Sequence, residues 1–295
     1  MQARSREWLY FWDSKDCNPN GDMLNDNKPR QDEVNGQLEA SDARLKRFQK
    51  DYLNAKGDTV AVYTRDKAEG KVMNNKDNTD YLREILNVGK DEDLVKAVNE
   101  ACLDARLFGF VFANEKKNQT GSLQISWSRT VHKGVVEYVK GNSPYANGEA
   151  EQVTFSEKYM TPYALFKTYM RYSNLTAKNQ NVVVSEDDLD KFRVSLIRAM
   201  KQCMTTSKNP LPRLMIEVIT KDDYIDGDLN YVDIVKHKGD TELRDISDVT
   251  FDLARLTERI EKLKNAGFID TVNVYVDGNT KVINAGECFN IIDMI

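Results

Sequence analysis

The residues of this chain best suited to chemistry gather between positions 13 and 50. Three carboxylates, Asp22, Asp26 and Asp32, fall in one loop, where acids could gather around a divalent metal. Among them stands Asn18-Pro19-Asn20-Gly21-Asp22, followed by Asn27-Lys28-Pro29-Arg30-Gln31-Asp32. Asn-Pro and Asn-Gly are strong turn formers. The loop therefore presents backbone N–H groups and amides, which suit the wall of a polyanion groove, and loops this long are usually functional or disordered. No His–Glu pair, nucleophile motif or Gly-rich nucleotide loop accompanies the carboxylates. Asp13 and Lys15 read as loop-anchoring groups rather than a catalytic pair.

Cations follow directly. Ser41 to Leu53 reads as a helix with Ser41 as its N-cap. Leu45, Phe48 and Tyr52 recur at i, i+3 and i+7 as a core-facing stripe. Arg44, Arg47 and Lys50 flank that stripe, with Lys46 farther round. Several cations on one helix beside a turn-rich loop make a phosphate track. The plainer alternative is a solvated face whose cations pair with Asp42 and Asp51. Downstream, Thr205-Thr206-Ser207-Lys208-Asn209 follows a helix. Its hydroxyls, amides and Lys208 could hold a phosphate, or Lys208 simply complements a helix dipole.

Gln124, Ser126, Ser128 and Arg129 alternate with Leu123, Ile125 and Trp127. This pattern predicts a half-buried strand with Trp127 in the core, whose polar face, Arg129 included, either offers hydrogen bonds to RNA or is simply solvated. His132 has no motif partner and reads as a surface or interface residue. Asp222, Asp223, Asp226 and Asp228 do not match an EF-hand and read as an acidic surface turn.

The elements that must position these groups follow from periodicity. Strands are expected over 7–13, 58–64, 121–132, 162–172, 213–220 and 272–276, and helices over 41–55, 80–88, 91–105, 185–203 and 248–266. Ser185 and Asp188 have capping-box spacing. With the middle segments taken as insertions, the core order is strand, helix, strand, strand, helix, strand. This is an α+β chain with the ferredoxin-like split βαβ pattern. Residues 66–118 form a polar, partly helical insertion. Residues 133–160 form an extended hairpin around a Gly/Asn/Pro tip. Val272–Val276 and Lys281–Ile283 flank Asp277-Gly278-Asn279, a strong hairpin signal.

The chain has 295 residues, 40% hydrophobic and 30% charged, with a formal net charge of -5. Its mean hydropathy is -0.61, and no apolar run is long enough to cross a membrane as a helix. The 4 cysteines, Cys17, Cys102, Cys203 and Cys288, are scattered. They suggest neither a zinc site nor a disulfide framework, and point to reducing cytoplasm. No signal-peptide apolar region precedes the first strand. The acidic balance argues against non-specific nucleic-acid binding, although a groove needs only a local positive stripe. Polymerising subunits could also bury surfaces of opposite sign against each other.

Taken in order, these motifs resemble a known family. The strand, Asn18-Pro19-Asn20-Gly21-Asp22, Asn27-x-Pro29-Arg30-x-Asp32 and Ser41-Asp42-x-x-Leu45-Lys46-Arg47 are similar to the repeated backbone subunit of type I CRISPR Cascade complexes. That branch of the repeat-associated RNA-binding superfamily is nearest here in its subtype I-B form. Asp104-Ala105-Arg106-Leu107-Phe108-Gly109, Thr120 to Gln124, Thr205 to Lys208 and Pro212-Arg213-Leu214 extend the resemblance over most of residues 7–230. Met23 and Phe48-Gln49 depart from the family's usual residues.

The resemblance implies an RRM-like palm built from 1–65, 119–132 and 161–230. It also implies fingers at 66–118 and a thumb at 133–160, with 231–295 as a C-terminal helix and hairpin on the core. It implies a non-catalytic scaffold without cofactor or metal. Copies would polymerise along CRISPR RNA beside other Cascade subunits and recognise target DNA through the guide. The implied RNA-binding residues are Asn18, Asn20, Gly21, Arg30, Arg44, Lys46, Arg47, Lys50, Arg129 and Lys208. Tyr138, Tyr145, Asn147 and Phe155 are the implied thumb residues. The rival readings are a metal-dependent RNase of the type III backbone kind and a monomeric RNA-binding module.

Overall fold

The computed structural model describes residues 1–67, 70–146 and 153–294, and only the backbone at 142–146 and 153–156. In chain order, β1 (Arg6–Cys17), β2 (Gly21–Asp22), β3 (Lys28–Pro29) and β4 (Gln37–Ala40) precede helix α1 (Asp42–Ala55). Then come α2 (Asn75–Ile85), α3 (Leu94–Ala101), α4 (Leu103–Phe108), β5 (Gly109–Phe112) and β6 (Lys117–Thr120). Strands β7 (Leu123–Ile125), β8 (Ser128–Lys133), β9 (Glu137–Ala146) and β10 (Val153–Tyr172) lead to α5 (Asn174–Asn179), α6 (Glu186–Gln202) and β11 (Pro210–Thr220). Beyond them lie β12 (Asp233–Lys236), β13 (Val249–Asp252), α7 (Ala254–Asn265), β14 (Ile269–Val276), β15 (Val282–Ile283) and β16 (Asn290–Asp293).

Among the described residues, a nine-stranded sheet runs β16-β14-β11-β1-β10-β8-β4, with β7 and β9 also paired to β10. The central strand β1 is antiparallel to both β10 and β11. Its near-continuous apolar run has a simple cause: both faces are covered. Trp8, Tyr10 and Trp12 pack with Leu45 and Phe48 of α1 and Phe192 and Leu196 of α6. Leu9 and Phe11 point the other way, against Leu256, Ile260 and Leu263 of α7 and Phe251 of β13. Alternation along a strand makes this division automatic. A third, smaller core joins Ala61, Leu82, Val98, Phe110 and Phe112.

Several sequence expectations are corrected. Residues 58–64 are irregular, because their buried amides find a side chain instead of a strand: Asp104 accepts from Ala61 N–H at 2.8 Å and Val62 N–H at 3.0 Å. The 80–88 helix begins earlier, at Asn75, where Asn74 and Asp77 form a capping box. The 91–105 helix is split at Cys102, whose backbone is extended. The 248–266 segment opens as β13, paired to β12 and β15, before α7 starts at Ala254. The tail hairpin does not form. The Asp277 turn closes through Thr280 N–H at 2.8 Å, but β14 pairs with β11 and β16 while β15 joins β13.

Trp127 and His132 are reversed. Ile125 lies opposite Met170, yet Arg129 lies opposite Lys167, so one extra residue sits at Ser126-Trp127. A one-residue bulge changes which face each later side chain takes. Trp127 is consequently 46% exposed. Ser128 turns inward, 2.6 Å from the Thr168 hydroxyl. His132 is buried, and its Nε2 accepts from Leu165 N–H at 3.1 Å.

Candidate nucleic-acid interface

The C-terminal end of β1 delivers the Asn-rich loop beside two other segments. Asn18 N–H donates to Ser207 O at 3.2 Å, and the Lys208 ammonium donates to Asn18 O. Across the turn, Asn18 Nδ2 donates to Asn27 O at 2.6 Å. Packing at Gly21 is tight: a Cβ would stand 1.9 Å from Asn27 Oδ1, so the Asn27 side chain would have to move. The Asn20 amide meets the Ser41 hydroxyl at 3.4 Å, which brings the start of α1 against the same loop. Both Asn18 and Asn20 are buried. Their amides therefore shape the loop, and what it offers a ligand is mostly main chain.

The cations expected in the groove fall into two groups. Lys46 pairs with Asp42 at 2.8 Å and Arg47 with Asp51 at 2.7 Å, the local pairing that the helix sequence permits. Arg30 stands 3.3 Å from Asp22. Arg129 lies 3.3 Å from Asp32 and 2.6 Å from Glu39. Lys50 is buried, donating to Val62 O at 2.9 Å and facing Asp104 at 3.2 Å. Burial lowers its pKa while Asp104 acts to raise it. A cation already matched by a carboxylate adds little net attraction for phosphate.

Arg44 and Lys208 are different. Both are half-buried, and neither has a carboxylate partner among the described residues. Arg44 Nε is buried without any hydrogen-bond acceptor. Burial pulls the Arg44 guanidinium below its ordinary pKa. Burial, then repulsion from Arg44, does the same to the Lys208 ammonium. Two like charges held close in a partly dry site gain when an anion arrives between them. The Thr205 turn closes this loop through Lys208 N–H to Thr205 Oγ1 at 3.0 Å, leaving the Lys208 side chain on the Asn18 side.

A hollow at the same end is lined by Asn18, Asn27, Lys158, Tyr159, Ser207 and Lys208. It joins the loop to the foot of the β9–β10 hairpin. Lys28 sits over the Tyr159 ring at 5.0 Å, and the Tyr138 ring lies tilted against the same ring at 5.1 Å. Tyr138 is 45% exposed. Tyr145 and Phe155 lie in β9 and β10, and Asn147 falls outside the described residues. Sequence reasoning missed Lys28, Lys158 and Tyr159. The only local signal was Lys158 next to Tyr159 in a strand, and that pair gains meaning once β10 is seen to pass the loop that carries Lys28.

Two of the three loop carboxylates, Asp22 and Asp32, are occupied locally. Asp22 faces Arg30, and Asp32 accepts from Val34 N–H at 2.9 Å. Asp13 is instead deep in the core, holding Arg213 at 2.8 Å and the Tyr163 hydroxyl at 3.0 Å. Lys15 reaches Asp245 at 3.4 Å. Among the described residues no group of three or more His, Cys, Asp or Glu is placed to hold a metal ion.

The model of the family described as CRISPR-associated protein Cas7 matches residues 4–254. The CRISPR-associated protein Cas7 of Haloferax volcanii is 28% identical over 310 residues, covering 94% of this chain and 88% of that protein. A chain of the solved CRISPR RNA-guided surveillance complex, pre-nicking, has a TM-score of 0.54 at 13% identity, covering 98% of this chain and 96% of that chain. That likeness is one of fold. The match to the family extends from before β1 to the start of α7 and includes the loop, α1 and the Thr205–Lys208 turn, so this chain belongs to the Cas7 family of CRISPR-associated proteins.

Proposed function

We propose that this protein is a non-catalytic scaffold subunit of a type I CRISPR effector complex, nearest to subtype I-B. Several copies grip one CRISPR RNA, and the guide recognises target DNA by base pairing. The observation that carries this reading is the convergence of Arg44 and Lys208, unmatched by carboxylates, with the main-chain-rich Asn18–Gly21 loop. Such a site takes phosphate and ignores base identity, as a protein serving any guide sequence requires.

The topology supports a ferredoxin-like, RRM-like palm. In sequence order β1, β8, β10 and β11 are the four core strands, and their spatial order is β11-β1-β10-β8 with α1 and α6 on one face. Residues 66–118, which supply most of the small third core, serve as fingers. The β9–β10 hairpin serves as the thumb, with Tyr138 at its base. Arg44 and Lys208 are the principal phosphate ligands. Lys46, Arg47, Arg30 and Arg129 are peripheral ones, weakened by their carboxylate partners, and Lys50 serves the fold through Asp104 rather than the RNA.

The test is the mass of particles formed with a repeat-spacer RNA. Several copies per RNA is the expected result. One copy per RNA, whatever its length, would instead identify a monomeric RNA-binding module.

A further inference from the structure

A hollow lies at the end of the large sheet opposite the RNA groove. The groove is at the Cys17 end of β1, and Arg6 at the other end is about 36 Å away at ~3.3 Å per residue. There the register places Tyr172 and Ile219 on either side of Arg6. The segments that follow them, 173–178 and 220–223, therefore meet residues 2–5. Ser5 fixes the junction. Its hydroxyl accepts from Asn174 N–H at 3.2 Å, and its carbonyl accepts from Thr220 N–H at 3.1 Å and Thr220 Oγ1 at 2.9 Å. The hollow measures about 650 Å³ and is lined by Asn174, Leu175, Lys178, Lys221, Asp222 and Asp223, together with Ala3 and Arg4. Small-molecule sites span roughly 300–1,000 Å³.

One polar atom in this lining is unsatisfied. Asn174 is only 8% exposed. Its Nδ2 donates to Asp222 O at 3.0 Å, which fixes the amide's orientation, because a reversed amide would set two oxygens face to face. Its Oδ1 is buried and accepts no hydrogen bond among the described residues. That oxygen needs a donor.

The charges around it are also unspent. Lys178, Lys221, Asp222 and Asp223 are all exposed, and none of the four has an ion pair among the described residues. Arg4 differs, being matched by Asp270 at 2.5 Å and Glu186 at 3.4 Å. Leu175 is 50% exposed and adds an apolar flank.

We infer that this hollow binds a mononucleotide whose base carries an exocyclic amine. The ligand must bring a donor to Asn174, further donors to the two carboxylates and an anion to the two ammoniums. A nucleoside phosphate combines these. The base amine donates to Asn174 Oδ1, the ribose hydroxyls donate to Asp222 and Asp223, and the phosphate pairs with Lys178 and Lys221. The base itself covers Leu175. Inorganic phosphate would have nothing to donate, and a metal cation would be repelled by the lysines. The inference stands apart from the scaffold reading, because none of these residues belongs to the groove.

Titration calorimetry of the whole chain with adenosine 5′-monophosphate tests it. Saturable binding is expected. Purine riboside 5′-monophosphate, which lacks only the amine, should bind about tenfold more weakly, because Asn174 Oδ1 then stays unpaired. Lys178→Ala with Lys221→Ala should weaken binding of adenosine 5′-monophosphate by about tenfold. The same variant should bind guide RNA as the wild type does, since the groove lies several Debye lengths away. Thermal unfolding checks that it remains folded, as its exposed side chains predict. Arg44→Ala with Lys208→Ala should keep the nucleotide affinity. No binding at millimolar nucleotide, equal affinity for the two nucleotides, or an affinity that the lysine variant leaves intact would each overturn the inference. Loss of nucleotide binding in the Arg44 and Lys208 variant would overturn it as well, by placing the nucleotide in the groove. None of these results bears on how many copies one RNA holds, so the scaffold reading is tested separately.

Discussion

The Lys50 ammonium faces the Asp104 carboxylate at 3.2 Å, inside the protein rather than in the groove. This pair ties α1 to the segment at 58–62, because the same carboxylate holds the Ala61 and Val62 amides. Arg106, two residues on, reaches Asp188 of the α6 capping box at 2.6 Å. The Asp104–Gly109 motif is therefore a fastening between the third, smaller core and the helical layer. Its glycine has φ +74, and a Cβ there would lie 2.1 Å from Gln119 O.

We predict that Lys50→Met destabilises the fold by about 3 kcal/mol, since it strands a buried carboxylate. A urea midpoint measured against the wild type reads the loss. The folded fraction should bind RNA as before. Wild-type stability with reduced RNA affinity would return Lys50 to the groove.

Arg44→Ala with Lys208→Ala should do the reverse. Folding should be nearly unaffected, and affinity should fall to a similar extent for unrelated guide sequences. The slope of log K against log salt should flatten by about 0.7 for each phosphate of single-stranded RNA that is no longer neutralised. Lys46→Ala with Arg47→Ala should change both quantities much less, because Asp42 and Asp51 already balance those charges. Equal effects from the two double variants would refute the division drawn between them.

Purified protein should leave guide and complementary RNA intact in single-turnover assays with magnesium or manganese. Cleavage that vanishes on Asp26→Ala or Asp32→Ala would move the chain into the nuclease class. The reason to expect none is that Asp32 is spent on its own turn and on Arg129.

Replacing residues 141–150 by a short Gly-Ser turn should leave the monomer folded and impair ordered assembly on guide RNA. The strands at the hairpin's foot hold the register from Glu137–Met160 to Lys140–Glu157 without the tip. Thermal unfolding and particle mass are read together. A lost fold would make the segment part of the core, and full-length particles would remove its assembly role.

His132 gives a pH prediction. Its Nε2 accepts a backbone N–H and Nδ1 faces the carbonyls of Lys133 and Asp240, so the neutral ring is fully satisfied. Burial lowers its pKa below the usual 6.5. The unfolded chain then binds the extra proton first. This contribution is complete above about pH 6.5 and is lost as pH falls toward the folded-state value. Burial raises the Asp13 pKa to about 6, and that group acts in the opposite sense. The difference between wild type and His132→Gln in urea midpoint across pH 5–8 isolates the histidine. A difference independent of pH would refute this assignment.

Local patterns in the sequence determined a good part of this protein. The Ser41 and Ser185 helix starts, the run from Trp8 to Trp12 and the long strands at 162–172 and 213–220 are written in short-range periodicity and turn chemistry. So are the Lys46–Asp42 and Arg47–Asp51 pairs, which lie one helical turn apart. Tertiary structure decided the rest. Lys50 looks the same as Arg44 in the sequence, and only the arrival of Asp104 from a distant helix separates a buried fastening from a free cation. A single extra residue at Ser126-Trp127 sent the indole outward and His132 inward, a change of register that alternation alone does not reveal. The tail turn at Asp277 formed as its residues dictate, but its flanking strands went to different sheets, because β16 had taken the free edge of β14 and β13 offered β15 another. Pairing between distant strands is a competition among partners, and no local pattern records who wins it.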